Sequence, residues 1–590
     1  MKMKVSDYVL EFLKSKNIDT IFTVSGGAAA HLLNSIKEKK FNYICNYHEQ
    51  ACAMAAEGYA KIKNIPACVL VTNGPGSSNT ITGVLGAFQD SVPMIIISGQ
   101  VPTNQTLASL DKNINLRQLG VQECDIIKMV SPITKYAVQI QNASEIQHHL
   151  ELAYQKAMEG RRGPVWIDIP LNIQSQQIDV NDILQTPSFI NKNSENYLDE
   201  IISKIKNSKN PVIITGNGIH LSGTESKFLK LKNTLKIPVI STWTSKDLMD
   251  DKDPLFVGNF GLLGERAANF AIQNADLLLI LGSRMSIPNI GYQHHLFSPK
   301  SIKIMVDIDK NELEKPTIKI DYPICLDLNQ FFDDINSKLG DIPTWTSWNE
   351  KTQKWKHKYS TFLPEYKTNK NRINSFYFME VLSKKLHDDN VIVTDMGTSY
   401  TCTMQSLKMN GKNRLFTSSG CCSMGFGLPG AIGAYYANPK KDVILIAGDG
   451  GIQMNIQEFQ TVIHNKIPIK MFILNNNGYL AISLMQDNLF NGNYMGSNTS
   501  SGISSPDFCK IGNAYGLKTF KCNNNEELEN QIDDVLSYNG AALCEISMTE
   551  NQLLIPRVQS SKNSKGEIIS TSLENMYPYL EEEEMKEIMS

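Results

Sequence analysis

Short apolar runs recur along the chain, many of them closed by glycine, proline or an amide residue, with helix-spaced stretches between them. A first group reads TIFTVSG, ACVLVTNGPG, PMIIISGQ and GPVWIDIP. A second reads PVIITGNG, PVIST, ADLLLILGS and IKIMVDID. A third reads VIVTDMGT, VILIAGDG, IKMFILNN and AALCEISM. Strands alternating with helical segments predict an α/β fold of three doubly wound domains with mainly parallel sheets. The expected boundaries are residues 1–175, 196–340 and 373–550, with a tail at 551–590. MKMKVSDYVLEFLKSKNIDTIF reads as an amphipathic helix entering a strand. QSQQIDVNDILQTPSFINKNSEN reads as a linker, and DIPTWTSWNEKTQKWKHKYSTFLPEYKTNKNR as a second connection. The acidic end, LEEEEMKEIMS, reads as a solvated helix face.

Composition narrows the partners more than the fold. At 590 residues there is room for three or four domains. A net charge of −3 gives no reason to expect a nucleic-acid or anionic-membrane partner. Eleven cysteines without a CxxC pair read as reduced thiols of a cytoplasmic protein. Asp7 and Glu11 interrupt any leader-like apolar run, and no run approaches the ~18 residues of a membrane span.

The densest chemistry lies in GDGGIQMNIQEFQTVIHNKIPIKMFILNNNGYL, Gly448 to Leu480. A buried strand stops at Gly448, and Gly448, Gly450 and Gly451 let backbone N–H groups approach an anion at a helix start. A second buried strand ends in Asn475–Asn477. If the two strands are neighbours, Asp449 and Asn476 converge. A carboxylate, an amide oxygen and the carbonyl of Gly478 form a hard oxygen set suited to Mg²⁺ on a diphosphate. GDG alone is an ordinary turn. The pair, each member closing a strong strand, is a motif in its required context.

GDG, then 24 residues, then NN resembles the signature of thiamine-diphosphate (ThDP) enzymes. The resemblance implies that Asp449, Asn476 and Gly478 bind the metal. NYHEQACAMAAEGYAK resembles the family's catalytic glutamate segment, with Glu49 as the match. Such a carboxylate shares a proton with the cofactor's aminopyrimidine ring, and a dry site that raised its pKa would help. His48 stays open between substrate and scaffold, and Glu57 reads as structural. DMGTSY resembles a second diphosphate loop around Gly397 and Thr398. GCCSMGFGLPGAIGA resembles the segment that buttresses the bent cofactor, with Met424 as apolar wedge and the Cys422 carbonyl as acceptor for the amino group.

TNGPGSSNTITGVLGAFQDSVPMIIISGQV, RQLGVQECDIIKMVSPITKYA and GPVWIDIPLNIQ are similar to the acetolactate synthase branch. There the segments around Gly26, Gly27, Gln100 and Gln122 face the reacting centre. In this family the cofactor spans domains of two subunits, so the resemblance implies a homodimer or a tetramer. It also implies loss of CO₂ from a 2-keto acid, with pyruvate expected, and transfer of the acyl unit to a carbonyl acceptor. Two aromatic positions of the synthase pattern are changed here, to Val121 and Met485, which should loosen the pocket toward a different acceptor. The tail resembles homologues of nucleotide-sugar pathways. The leading expectation is an acetyl carboligase acting on a nucleotide-linked keto sugar. The alternatives are acetolactate synthase, a simple 2-keto acid decarboxylase and a non-catalytic ThDP-fold subunit. FAD on the middle domain stays open: Arg284 of LGSRMSIPNIGY is kept without the expected acidic pair, and GNGIH (216–220) is either a ligand turn or a strand end.

Overall fold

The structure is a computed structural model, and it describes residues 2–110, 114–180, 197–368, 371–562 and 568–590. Three six-stranded parallel sheets follow one another along the chain. The first contains β1 (Thr20–Thr23), β2 (Asn42–Cys45), β3 (Ala67–Val71), β4 (Met94–Gln100), β5 (Tyr136–Gln139) and β6 (Pro164–Pro170), in the order β2-β1-β3-β4-β6-β5. The second contains β7 (Pro211–Thr215), β8 (Val239–Ser241), β9 (Phe256–Asn259), β10 (Leu277–Leu281), β11 (Ile302–Asp307) and β12 (Tyr322–Cys325). Its order is β9-β8-β7-β10-β11-β12. The third contains β13 (Val391–Thr394), β14 (Arg414–Phe416), β15 (Val443–Gly448), β16 (Lys470–Asn475), β17 (Lys518–Cys522) and β18 (Ala542–Ser547). Its order, β14-β13-β15-β16-β18-β17, repeats the plan of the first sheet.

Alternate residues of each strand feed two separate cores. Leu70, Ile95, Ile97 and Ile167 pack on one face of the first sheet, while Val69, Val71, Ile96 and Trp166 pack on the other. Ile444, Ile446 and Phe472 divide from Leu445, Ala447 and Ile473 in the third sheet in the same way. Burial on both faces is why these strands are unbroken apolar runs.

The first and third domains interlock. The helix Glu49–Lys63 lies against the helix Gly427–Ala437 with almost nothing between the backbones. A Cβ at Gly433 would stand 1.8 Å from the Ala55 carbonyl oxygen, and one at Gly58 would stand 2.2 Å from that of Gly430. Met54 joins the core of the third domain, and Ala437 that of the first.

Two segments differ from expectation, and a third, the acidic end, is the expected helix with Glu582 and Glu583 exposed. The stretch read as a linker begins with a strand, Gln177–Asp179, paired antiparallel with Lys2–Lys4. Its remainder, from residue 181 to 196, lies outside the described residues. The Trp- and Lys-rich connection contains the helix Thr346–Lys358, whose Trp348 and Trp355, with Trp345 before it, cover the central core. Their spacing of three and seven puts them on one helical face. The indole N–H groups of Trp345 and Trp348 donate to the carbonyls of Ser208 and Pro211, at 2.9 and 3.0 Å. At the C-terminus, the helix Glu582–Met589 buries Ile588 in the same core, and Glu584 pairs with Lys358 and Tyr359. Among the described residues, no helix is long and apolar enough to cross a membrane.

Candidate active site

β15 and β16 are adjacent, with Gly448 opposite Leu474. Their carboxyl ends therefore release Asp449 and Asn476 side by side, where open α/β sheets bind ligands. The Asp449 carboxylate is 2% exposed. Its Oδ1 accepts from the Gly450 N–H at 3.0 Å. Its Oδ2 accepts from the Gly478 N–H at 3.0 Å and from the Ser505 hydroxyl. Burial raises its pKa, and the hydrogen bonds from Ser505, Gly478 and Gly450 oppose the rise. Beside it, Oδ1 of Asn476 is buried and accepts no hydrogen bond. A buried acceptor without a donor costs about 1–3 kcal/mol, which a cation would relieve. The donor set fits a hard divalent ion.

The glycines around Asp449 are required by close packing. A Cβ at Gly450 would lie 2.3 Å from the Tyr479 ring and 3.0 Å from Cε of Met424. One at Gly451 would lie 2.8 Å from Cγ of Asp395. Gly397 has φ +92°, in the region that favours glycine, and the space where its Cβ would stand is open. Asp395 is itself buried. It accepts from the N–H groups of Met396, Gly425 and Gly427 at 2.7, 3.0 and 3.1 Å. Burial pushes its carboxyl up to about 6 against the pull of those three donors. It thereby ties the Gly397 turn to the segment carrying Met424.

One cavity of about 1180 Å³ collects these groups. Gly397, Thr398, Cys422, Met424, Gly448, Asp449, Gly450, Gly451, Asn476 and Gly478 all line it. It continues along the carboxyl ends of the central sheet past Gly216, Gly218, Gly282 and Arg284 to Asp307 and Asp327. Gly216 and Gly218 pack directly on Gly282: their Cβ atoms would meet its backbone at 2.2 and 2.7 Å.

The remaining candidates form a second group, and none of them lines that cavity. The loop after β3 gathers most of them. Thr72 lies against Gly26 and accepts from the Ala28 N–H at 3.2 Å. Asn73 donates to the Val121 carbonyl at 3.0 Å, and Gly74 packs on Gln122. Gln122 is exposed with φ +59°, and Gly27 opens the short turn Gly27–Ala29. Asn79 donates to Oε2 of Glu49 at 2.9 Å. His48 is the N-cap of the Glu49 helix, its Nδ1 accepting from the Gln50 N–H at 3.0 Å. Gln100 is buried, and its amide is engaged by Asp168 and the Cys124 carbonyl at 3.1 and 3.2 Å. Met485 sits on the exposed side of the helix Leu480–Phe490.

Sequence reasoning missed Ser505, Tyr479, Thr72 and Asn79. Thr72 and Asn79 flank the quoted glycine turn and could have been weighed with it. Ser505 lies 56 residues beyond Asp449 in an irregular loop with no motif. Asn477 Oδ1, accepting from the Ser505 N–H at 3.1 Å, brings it in.

Comparison with known proteins agrees with the three-domain plan. Residues 3–129, 198–335 and 395–546 match the N-terminal TPP binding domain, the central domain and the C-terminal TPP binding domain of the thiamine pyrophosphate enzymes. The chain belongs to this family of ThDP enzymes. Within it, the chain falls in the acetolactate synthase-like branch. It is 31% identical over 565 residues to the acetolactate synthase large subunit of Lactococcus lactis, covering 95% of each chain. It is 31% identical to the probable acetolactate synthase large subunit of Methanocaldococcus jannaschii, covering 92% of each. It is 27% identical to the isozyme 1 large subunit of Escherichia coli, covering 94% of this chain and 95% of the relative. The protein is a ThDP-dependent carboligase that decarboxylates and forms C–C bonds.

Proposed function

We propose that this enzyme removes CO₂ from pyruvate and transfers the acetyl unit to a carbonyl acceptor larger than a second keto acid, such as a nucleotide-linked keto sugar. The observation that carries the acceptor reading is a missing aromatic wall. Val121 and Met485 are 82% and 39% exposed, and neither offers a ring to close the pocket on a small keto acid. Thiamine diphosphate, when bound, supplies the electron sink for cleaving and forming bonds at the keto carbon.

The chain's own residues bind, orient and move protons. Asp449, Asn476 and the Gly478 carbonyl hold Mg²⁺, and the unpartnered Asn476 oxygen supports that assignment. Backbone N–H groups of Gly450, Gly451 and the Gly397–Thr398 turn face the diphosphate. Met424 would support the bound cofactor from its apolar side, the Cys422 carbonyl would offer it an acceptor, and Glu49 would supply the carboxyl that moves a proton at the pyrimidine. Gly26, Gly27 and Gln122 border the reacting centre, while His48 and Gln100 act by holding the scaffold. Glu49 does not line the cavity of its own chain, which supports a dimer in which a second copy would bring its Glu49 to each site. Exposed Tyr43, Tyr47 and Val121 around the Glu49 group support a covered surface there.

The second reading joins two 2-keto acids, the activity in the names of the relatives. It is favoured by similarity along nearly the whole chain. Incubating the enzyme with pyruvate, ThDP and Mg²⁺, with and without 4-keto sugar nucleotides, separates the two. An acetylated sugar is the expected product, and acetolactate as the sole efficient product overturns the first reading. A cavity of about 1180 Å³ exceeds the ~300–1,000 Å³ of ordinary ligand pockets. That room in the central arm supports FAD as a further ligand, and the absorption spectrum of the purified protein tests it.

A further inference from the structure

The loop Thr417–Gly427 carries Cys422 and Met424 into the cavity, and a buried carboxylate grips each end of it. Asp395, from the third domain itself, holds Gly425 and Gly427. The other end is held from the first domain. Asp90 accepts from the N–H groups of Ser419 and Gly420 at 2.9 and 2.7 Å, and from the Ser419 hydroxyl at 3.3 Å. Lys61 binds Asp90 at 2.6 Å and Glu57 at 2.9 Å, and donates to the Thr417 carbonyl. All three side chains are buried. Glu57 and Lys61 lie one turn apart on the helix that begins at Glu49.

We infer that Asp90, braced by Lys61 and Glu57, is a positioning residue for ThDP, setting the height of the Cys422–Met424 segment over the Asp449 turn. The inference rests on the ThDP site proposed above. Without Asp90, two backbone N–H groups lose their acceptor and Lys61 loses the nearer of its two carboxylates, so the loop sags at one end only. Burial resists charge on all three groups. Lys61 holds Asp90 below the usual carboxylate range, aided by Arg284, whereas the Glu57 carboxyl is pushed up to about 7. The side chains of Ser418, Cys421 and Glu57 gather around Gly86.

The test is ThDP binding to the full-length protein with Mg²⁺, read by calorimetry, beside the pyruvate KM at saturating cofactor. Asp90→Ala should weaken ThDP binding about tenfold with the pyruvate KM unchanged, and Asp90→Asn should recover part of the loss. Wild-type ThDP affinity in folded Asp90→Ala overturns the inference. Should Asp90→Ala fail to fold, Asp90→Asn and Gly86→Ala decide. The new Cβ of the latter would press the loop from the same side, 2.6 Å from the Ser418 hydroxyl. Weakened ThDP binding in both supports the inference, and unchanged affinity in either overturns it. A wild-type protein that binds no ThDP defeats the site reading instead, before any variant is compared.

Discussion

The first and third domains share one strand order, yet put it to opposite uses. In the third, the turn after β15 buries Asp449 and closes a cavity around it. In the first, the equivalent turn after β3 gathers Gly26, Glu49 and Gln122 near a surface where Val121 and Tyr47 stand exposed. The first group lies inside the cavity, and the second lies outside it on a more open surface. One strand order thus carries two different loop environments at its carboxyl ends.

The sharpest test of this division is Glu49→Gln. Turnover of pyruvate to CO₂ should fall about 10³-fold, within the range for losing a proton-transfer group, while ThDP still binds. Unchanged CO₂ release would mean that the first domain is not the reacting half. Asn476→Ala should weaken Mg²⁺ binding in the presence of ThDP by about 100-fold. Thermal stability should hold, since no hydrogen bond to Oδ1 is lost. A large drop in Tm would instead mark Asn476 as a scaffold residue. Met485→Trp should shift preference toward a small second keto acid by about 10- to 100-fold in relative kcat/KM, measured by competing acceptors.

The smallest effect probes the joint between the halves. His220 sits where the three domains meet, 2.8 Å from Asp247 and 3.0 Å from Glu225. Arg414 of the third domain binds Asp247, and Asn64 of the first donates to the His220 carbonyl at 3.2 Å. Burial and Arg414 oppose charge on the imidazole, but Asp247 and Glu225 outweigh them and raise its pKa above the usual 6.5. A raised value means the contribution is complete below pH 6.5 and is lost as pH climbs through the folded-state value. His220→Gln should therefore destabilise by about 2 kcal/mol at pH 6 and by less at pH 9, read by denaturant unfolding. An equal loss at both would exclude the charge.

What the sequence disclosed follows burial. The four inner strands of each sheet are covered on both faces and stand out as apolar runs. The edges are harder to read. Tyr136–Gln139 and Lys518–Cys522 mix polar with apolar residues, Arg414–Phe416 is only three residues, and Phe256–Asn259 is interrupted by Gly258 at φ +137°. In the site, Asp449 and Asn476 were legible because each closes an inner strand. Ser505 and Asp90 were not, because loops bring them in. Nor does any pattern along the chain encode that Gln100 spends its amide on Asp168.

The contact between Glu49–Lys63 and Gly427–Ala437 sets a spacing from main-chain atoms alone. Side chains elsewhere can change in size and polarity without altering the separation of those two axes, because no side chain acts as the spacer. Exposed residues such as Val121 and Met485 lie outside that contact, so changes in their size leave the helix that carries Glu49 in register with the third sheet. The glycines at 58 and 433 thus set how close the first and third domains can stand, because any Cβ there would push the two helices apart.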